Sequence, residues 1–573
     1  MKNFFLLIFI LLILTSCSKQ NEDWNSYGKD LTNQRYSKLK QINTENIQKL
    51  KLAWQYQTGI KATFQATPIV HKGIMYVSLP FNNVIAMDGK TGKILWHYEH
   101  DRNLEWPICC GPSNRGVAIH DNQLFFGTMD ARVISLDMTT GEIIWDINVV
   151  DNLINTVSIN NFNARDLNHP SSASRETRVG ISMAPIVYEN KVIIGITGVG
   201  YGIHVEGENK THLDAVTRKS GFLAAYDISS GEQIWQFNTI PNEGWEGKFT
   251  NYTQDGVVLN RDIYLEKENL SKYPNAAKLG GGSIWTTPAI DQQTNTLFFG
   301  TGNPSPQLSG ETRPGDNLYT VSLVAVDVNT GKLKWHYQQV PHDVWGYDVA
   351  SPPVLFYTLH DDKIIPAVGQ AGKTGWFYIH NRDTGELILK SDAFVPQSNL
   401  FSNASPGGTI IYPGNLGGSN WSPVSLNIDL NLAFISGIHA PIKYTLHDKI
   451  IENQVLHYVS SEPSNDPQWG LLSAIDLSSG KIIWQHKTEQ PLLGGTLSTK
   501  GNLIFSGEGN GNFNAFNALT GDLIWQTKIA AGVNAPPITY MINGKQYIAV
   551  VAGGNKIMGY KQGDFISVYQ LSD

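Results

Sequence analysis

The sequence predicts an all-β fold, an eight-bladed β-propeller of four-stranded antiparallel blades with long loop insertions on one face, and three observations carry that prediction. A motif recurs as "AMDGKTGKILW", "SLDMTTGEIIW", "AYDISSGEQIW", "AVDVNTGKLKW", "AIDLSSGKIIW" and "AFNALTGDLIW", with a weaker copy in "IHNRDTGELIL". Another strand pair usually precedes it, as in "ATPIVHKGIMYVSL" and "APIVYENKVIIGIT". Finally, "LKLAWQYQTG" carries a tryptophan, Trp54, with no such turn before it.

Each copy reads as strand, tight turn, strand. Its fixed parts are Asp or Asn, then Gly, then Trp: Asp88/Gly92/Trp96, Asp137/Gly141/Trp145, Asp227/Gly231/Trp235, Asp327/Gly331/Trp335, Asp476/Gly480/Trp484 and Asn517/Gly521/Trp525. The polar side chain bonds its own backbone to start the turn, and Gly supplies a left-handed conformation. Alternating apolar residues then carry a strand to a Trp that a neighbouring sheet must cover. With the strand pair upstream this makes about four strands per unit, the composition of a propeller blade. The seven copies and the strand of Trp54 together predict eight blades, the N-terminal strand closing the ring. Uneven spacing of the copies places long insertions near 148–180, 199–220 and 240–280, crowding one face. Functional loops are disproportionately of this kind. "HDD" at 360–362 reads as a hairpin tip. Residues 26–573 form one propeller domain, after a polar tether at 18–25.

Residues 1–17 hold one lysine, an apolar run from Phe4 to Leu14 and small residues ending at Cys17, the pattern of a secretory signal rather than a membrane span. "LTSC" resembles a bacterial lipobox, which implies an acylated Cys17 at the mature N-terminus; a plain cleaved signal is the alternative. Ser18 does not resemble an inner-membrane retention signal, so the expectation is a periplasmic protein, lipid-anchored with the outer membrane favoured. No second apolar stretch approaches spanning length, which leaves the lipid as the membrane contact. The net charge of −7, with no basic run, argues against nucleic acid. There is no "CxxCH" for covalent haem. After Cys17 only Cys109 and Cys110 remain, side by side. A bond between neighbours is geometrically awkward, so this pair is not read as a fold staple, although export brings it to a compartment where a disulfide persists.

Along nearly the whole mature chain the sequence resembles the quinoprotein alcohol dehydrogenases, which hold pyrroloquinoline quinone (PQQ) at the centre of an eight-bladed propeller. The blade repeat is shared by other propellers. More specific are "CCGPSNRG", "GGGSIWTTPAID", "FGTGNPSP", "RPGDNLYTVSLVAVD", "PHDVWGYDVASPPVL", "GKTGWFYIHNRDTG" and "GGSNWSP", which appear in the family's order. The resemblance implies a vicinal disulfide of Cys109 and Cys110 against one face of the quinone and Trp285 against the other. It also implies Arg115, Lys373, Asn420 and Trp421 as contacts, with Ser182 and Gln65 as further candidates. A forked guanidinium suits a carboxylate or quinone oxygen. Taken alone, Trp285 reads more often as core than as a platform, because large aromatics dominate core packing, and Arg115 or Asn420 reads equally as a turn or surface residue.

The implied reaction oxidises an alcohol or sugar-like substrate: a cation polarises the quinone, a carboxylate takes the hydroxyl proton, and hydride passes to the cofactor. The implied cation is divalent or trivalent, calcium first, and needs oxygen ligands. Asn303 keeps the family's amide ligand. Gly200 stands where the family has a glutamate, and Gly346 where it has the catalytic aspartate. Asp348, two residues on, matches an extra metal-binding aspartate of lanthanide-using relatives and faces the same side as 346; it is a candidate base, a candidate ligand, or neither. His204, Glu206 and Glu208 are candidate substitute ligands in an acidic insert, or an exposed loop. Two functions follow: an exported PQQ-dependent dehydrogenase passing electrons to a separate cytochrome or membrane quinone, or a non-catalytic propeller resembling the outer-membrane β-barrel assembly lipoprotein.

Overall fold

The computed structural model describes residues 21–101, 111–150, 179–197, 220–451 and 454–572. Cys17, Cys109, Cys110, Gly200, His204, Glu206 and Glu208 lie outside these residues, as does most of the first two insertions. The fold is the expected one. Eight antiparallel blades follow one another at 69–98, 118–148, 186–238, 289–338, 354–390, 425–488, 496–528 and 538–571, numbered here 1 to 8. Blade 8 takes its outermost strand from Leu50–Gln57, which pairs with Phe565–Leu571 and so closes the ring through the strand of Trp54.

The repeat shows why it is written into the chain. In the turns the Asp or Asn side chain accepts backbone N–H groups two and three residues on, as Asp327 does from Asn329 and Thr330 at 3.0 and 2.9 Å, while Asn517 accepts from Leu519, two residues on. The turn glycines have φ between +69° and +78°. A Cβ on Gly331 would stand 2.6 Å from the Trp235 ring, so the glycine also makes room for the tryptophan of the preceding blade. That tryptophan donates its Nε1–H to the carbonyl just after the next blade's turn residue: Trp96 to Met138, Trp145 to Ile228, Trp235 to Val328, Trp335 to Arg382 and Trp484 to Ala518. In the weak copy Leu389 takes the tryptophan's place against Gly480, and the Thr358 hydroxyl bonds the Leu477 carbonyl instead.

Chain direction sorts the connections onto two faces. The hairpin between strands one and two and the Asp–Gly turn between strands three and four lie at one end of each blade, the turn face; in blade 1 they touch through Gly89 N–H and the Gly73 carbonyl at 2.8 Å. Segments leading into each first strand, and loops between strands two and three, lie at the other end, the loop face. The described ends of the first two insertions, and the third insertion, belong to the loop face. The third, at 240–280, carries the short helix Ile263–Asn269. A small sheet of Thr409–Ile411, Ile442–Ile451 and Gln454–Pro463 is added on the same side. Asp361 and Asp362 sit at positive φ in a two-residue hairpin, the tip expected from "HDD".

One boundary moves. The tether expected over 18–25 gives way at Glu22, whose N–H bonds the Met541 carbonyl, and Trp24 is fully buried against Val70. From there the chain crosses the ring of innermost strands. Carbonyls of Leu31, Thr32, Gln34 and Arg35 accept from Ile290, Leu355, Leu426 and Ser498, in blades 4, 5, 6 and 7. Arg35 is fully buried and donates to the carbonyls of Tyr27, Thr496 and Pro537. The Asn33 amide bonds the Pro288 and Pro353 carbonyls at 2.9 and 3.2 Å. This segment plugs the propeller axis.

Candidate active site

The lead-in segments of successive blades are tied together before any side chain is considered. Thr67 N–H bonds the Arg115 carbonyl and Arg115 N–H the Ser182 carbonyl, each at 3.0 Å, and the Thr287 hydroxyl bonds the Ala184 carbonyl. These segments ring the axis at the loop face, above the plug, and wall a cavity of about 190 Å³. Gln65, Arg115, Ser182, Trp285, Asn303, Asp348, Lys373, Asn420 and Trp421 all line it. Every expected site residue among the described ones is therefore gathered in one place, although the sequence spreads them from residue 65 to residue 421.

The Arg115 guanidinium is buried and packs between two indoles, 5.1 Å from the Trp285 ring centroid and 5.3 Å from that of Trp421. Its Nη1 donates to Ser182 Oγ at 2.8 Å and to the Trp285 carbonyl at 3.1 Å, so its charge is fixed in position. Asn420 is turned to its own loop, its amide donating to the Leu416 carbonyl and its oxygen accepting from Trp421 N–H. Asp348 is the one carboxylate on the cavity wall among the described residues. One of its oxygens accepts from Asn303 N–H at 2.6 Å and the other meets Lys373 Nζ at 3.1 Å. Lys373 also donates to the Gly346 carbonyl at 2.9 Å.

Several residues escaped sequence reasoning. Gln307 donates its amide to Asn303 Oδ1 at 3.1 Å. Asp343 lies behind the wall, fully buried, accepting the Asn303 amide at 2.6 Å and the N–H groups of Trp345, Gly346 and Tyr347. Burial pushes its carboxyl up to about 6. Ser113, Thr197, Ser283, Asn415 and Asn555 complete the polar wall. Gln307 stands one residue past a quoted motif and Asp343 inside one; neither had a periodicity or a pairing to mark it.

The residues present fit PQQ. A flat tricarboxylate quinone asks for fixed cations, aromatic faces and spare polar groups; the wall has Arg115 and Lys373, Trp285 and Trp421, and two buried atoms without a hydrogen-bond partner, Gln65 Oε1 and Ser113 Oγ. A metal ion fits less well. The Asn303 oxygen expected to bind one accepts the Gln307 amide, the Asp348 carboxylate faces an ammonium, and position 346 offers no side chain. Among the described residues no group of three His, Cys, Asp or Glu side chains is placed to hold a cation. In this arrangement each oxygen of the expected ligand pair, Asn303 Oδ1 and both oxygens of Asp348, meets one donor of the protein.

Comparison with known proteins gives the family. The family model described as "PQQ: Glucose/ethanol/alcohol dehydrogenase, beta-propeller domain" matches residues 24–400 and 391–548. The chain is 31% identical to the quinoprotein alcohol dehydrogenase PedH of Pseudomonas putida, over 92% of this chain and 85% of that protein. It is also 31% identical to the quinohemoprotein alcohol dehydrogenase of Comamonas testosteroni, over 94% and 73%. The crystal structure of a quinohemoprotein alcohol dehydrogenase from Comamonas testosteroni superposes with a TM-score of 0.78 at 29% identity, covering 96% of this chain and 80% of that one. A europium-containing methanol dehydrogenase gives 0.77 at 25% identity, covering 96% and 98%. With matches spanning most of its length, the chain belongs to the PQQ glucose/ethanol/alcohol dehydrogenase β-propeller family and is a quinoprotein alcohol dehydrogenase-like oxidoreductase.

Proposed function

We propose that this protein is an exported PQQ-dependent dehydrogenase that oxidises an alcohol-type substrate, anchored through an acylated Cys17, and that it passes electrons to an external acceptor. One observation carries the reading: a single cavity collects Arg115, Trp285, Trp421 and Lys373 around one carboxylate, Asp348. Bound PQQ supplies a two-electron acceptor for the substrate's C–H bond. Trp285 gives it a flat face, Arg115 a fixed charge for a carboxylate, and Lys373 an N–H donor for an oxygen. Cys109 and Cys110, bonded to each other, form the opposite wall in this reading.

Asp348 takes the proton of the substrate hydroxyl. Its carboxylate is aimed by Asn303 N–H and kept beside a cation by Lys373. No step is assigned to a metal ion. A general base contributes about two to four orders of magnitude. Asp348→Asn should therefore lower dye-linked alcohol oxidation by that factor while PQQ titrated into apoprotein still binds. Equal turnover in both proteins would remove the catalytic role of Asp348. Absence of PQQ binding in both would favour the non-catalytic propeller. Mass mapping of protein kept oxidised should show Cys109 joined to Cys110, and two free thiols would remove that wall.

A further inference from the structure

The first described residues fix where an N-terminal anchor must lie. Asn21 Oδ1 accepts the Asn543 N–H at 2.8 Å, and the Asp23 carboxylate accepts the Lys72 N–H at 3.1 Å. Residues 543 and 72 are the tips of the hairpins between strands one and two in blades 8 and 1. Both tips belong to the turn face and to the inner half of their blades. The chain thus leaves the propeller close to the axis, on the side opposite the cofactor cavity.

Cys17 stands four residue steps before Asn21, a reach of at most about 14 Å. Passing outward over the three remaining strands of a blade, about 4.8 Å apart, uses all of that. A lipid on Cys17 is therefore confined beneath the turn face. Blade strands of five or six residues span about 17–20 Å, and the cavity lies beyond them. The plug of residues 22–37 also crosses the axis between the two, with backbone bonds to four blades and the buried Arg35. Just before the repeat tryptophans, Leu95, Ile144, Ile234 and Ile483 are 50, 45, 42 and 54% exposed on four different blades.

We infer that the turn face rests on the membrane and that the cofactor cavity opens away from it, within reach of a water-borne electron carrier and out of reach of a quinone dissolved in the bilayer. This rests on the lipid anchor and PQQ site proposed above. Oxidation of an alcohol to a carbonyl releases two electrons and two protons; the protons go to solvent, and both electrons to the carrier.

The test uses the PQQ-loaded lipoprotein in phosphatidylcholine liposomes carrying spin-labelled lipid. Fluorophores are attached to Lys90→Cys, on the turn face, or to Glu268→Cys, on the loop-face helix. The Lys90 probe should be quenched and the Glu268 probe should not. In a parallel arm the bound cofactor is reduced chemically. A soluble c-type cytochrome should reoxidise it equally fast in the liposome-bound and Cys17→Ser proteins, while a quinone confined to the bilayer leaves it reduced when liposome-bound. Quenching of the Glu268 probe, or reoxidation by bilayer quinone, overturns the orientation. Intact mass separates the two failures: a lipidated protein with the wrong probe quenched refutes this inference alone, whereas a protein without lipid removes the anchor itself.

Discussion

The two faces of the propeller are built from the same strands by opposite rules. At the turn face one solution is repeated: an Asx side chain starts a turn, a left-handed glycine makes room, and the preceding blade's indole covers it and bonds its carbonyl. At the loop face no two blades do the same thing. Blade 2 contributes Arg115, blade 4 Trp285 and Asn303, blade 5 Asp348 and Lys373, blade 6 Trp421. The difference teaches that ring stability and site chemistry are carried by separate ends of each blade, joined by short strands, so each end can change without the other.

The largest effect that sharpens this separation is on stability. Trp235 is buried, fills the space above Gly331 and bonds the Val328 carbonyl. Trp235→Ala should cost about 3–5 kcal/mol, the usual range for a buried aromatic, read from denaturant unfolding of apoprotein. PQQ affinity in the folded fraction should be unchanged. Arg115→Ala should behave in the reverse way. Loss of a charge-assisted contact worth about 1.5–3 kcal/mol weakens PQQ by roughly ten- to a hundredfold in a binding titration. A Trp235 variant that loses PQQ affinity in its folded fraction would break the separation.

Asp343 gives a smaller effect in which stability and binding run in opposite directions. Its folded pKa of about 6 lies above the value near 3.9 expected unfolded. Its contribution to stability is therefore full below about pH 4 and is lost as pH rises through about 6. The ionised form is the stronger acceptor for the Asn303 amide and the 345–347 N–H groups, and Asn303 in turn holds Asp348 through its N–H. From pH 7.5 to 5, PQQ affinity should fall roughly tenfold, the order of one charged hydrogen bond, with no parallel loss of stability from this group. Asp343→Asn should flatten the affinity profile, and an unchanged slope in that variant would release Asp343 from the role.

What was legible in the sequence follows the same division. The blades were readable because each turn repeats one physical solution, so the count of eight and the closing role of Trp54 come from spacing alone. The exception is instructive: Leu389 made its copy look weak, yet Thr358 supplies the missing donor from another strand, a replacement that no local pattern announces. The cavity residues were reached only through motifs resembling a family, since Arg115 and Lys373 have no periodicity. Gln307, Asp343 and the plug around Arg35 were missed because each acts on groups far away in sequence. Arg35, a cation in a polar stretch, gave no sign of being fully buried among backbone carbonyls.

The smallest expected effect concerns added metal, and it sets the intact part of the loop face against the altered part. The residues proposed to contact PQQ keep the types that the resemblance implies, whereas the metal side has glycines at 200 and 346. Position 346 has φ +88°, and a Cβ there would stand 2.9 Å from both Asn415 Cβ and Gln307 Nε2. The backbone and its neighbours have closed over the space that a carboxylate would need. The remaining oxygens are engaged: Asn303 Oδ1 by the Gln307 amide, Asp348 by Asn303 N–H and the Lys373 ammonium. A cation must share these oxygens with donors already in place, and a neighbouring ammonium opposes its approach. Titrating PQQ into apoprotein stripped of metal, then with calcium or a lanthanide, should give affinities within about twofold, well under the 1.4 kcal/mol that a tenfold change represents. A gain of tenfold or more would show that the Lys373–Asp348 pair opens to a cation. Gln307→Ala frees the Asn303 oxygen, so metal should help that variant more than the parent. The same small response in both would place the obstacle at Asp348 and Lys373 instead.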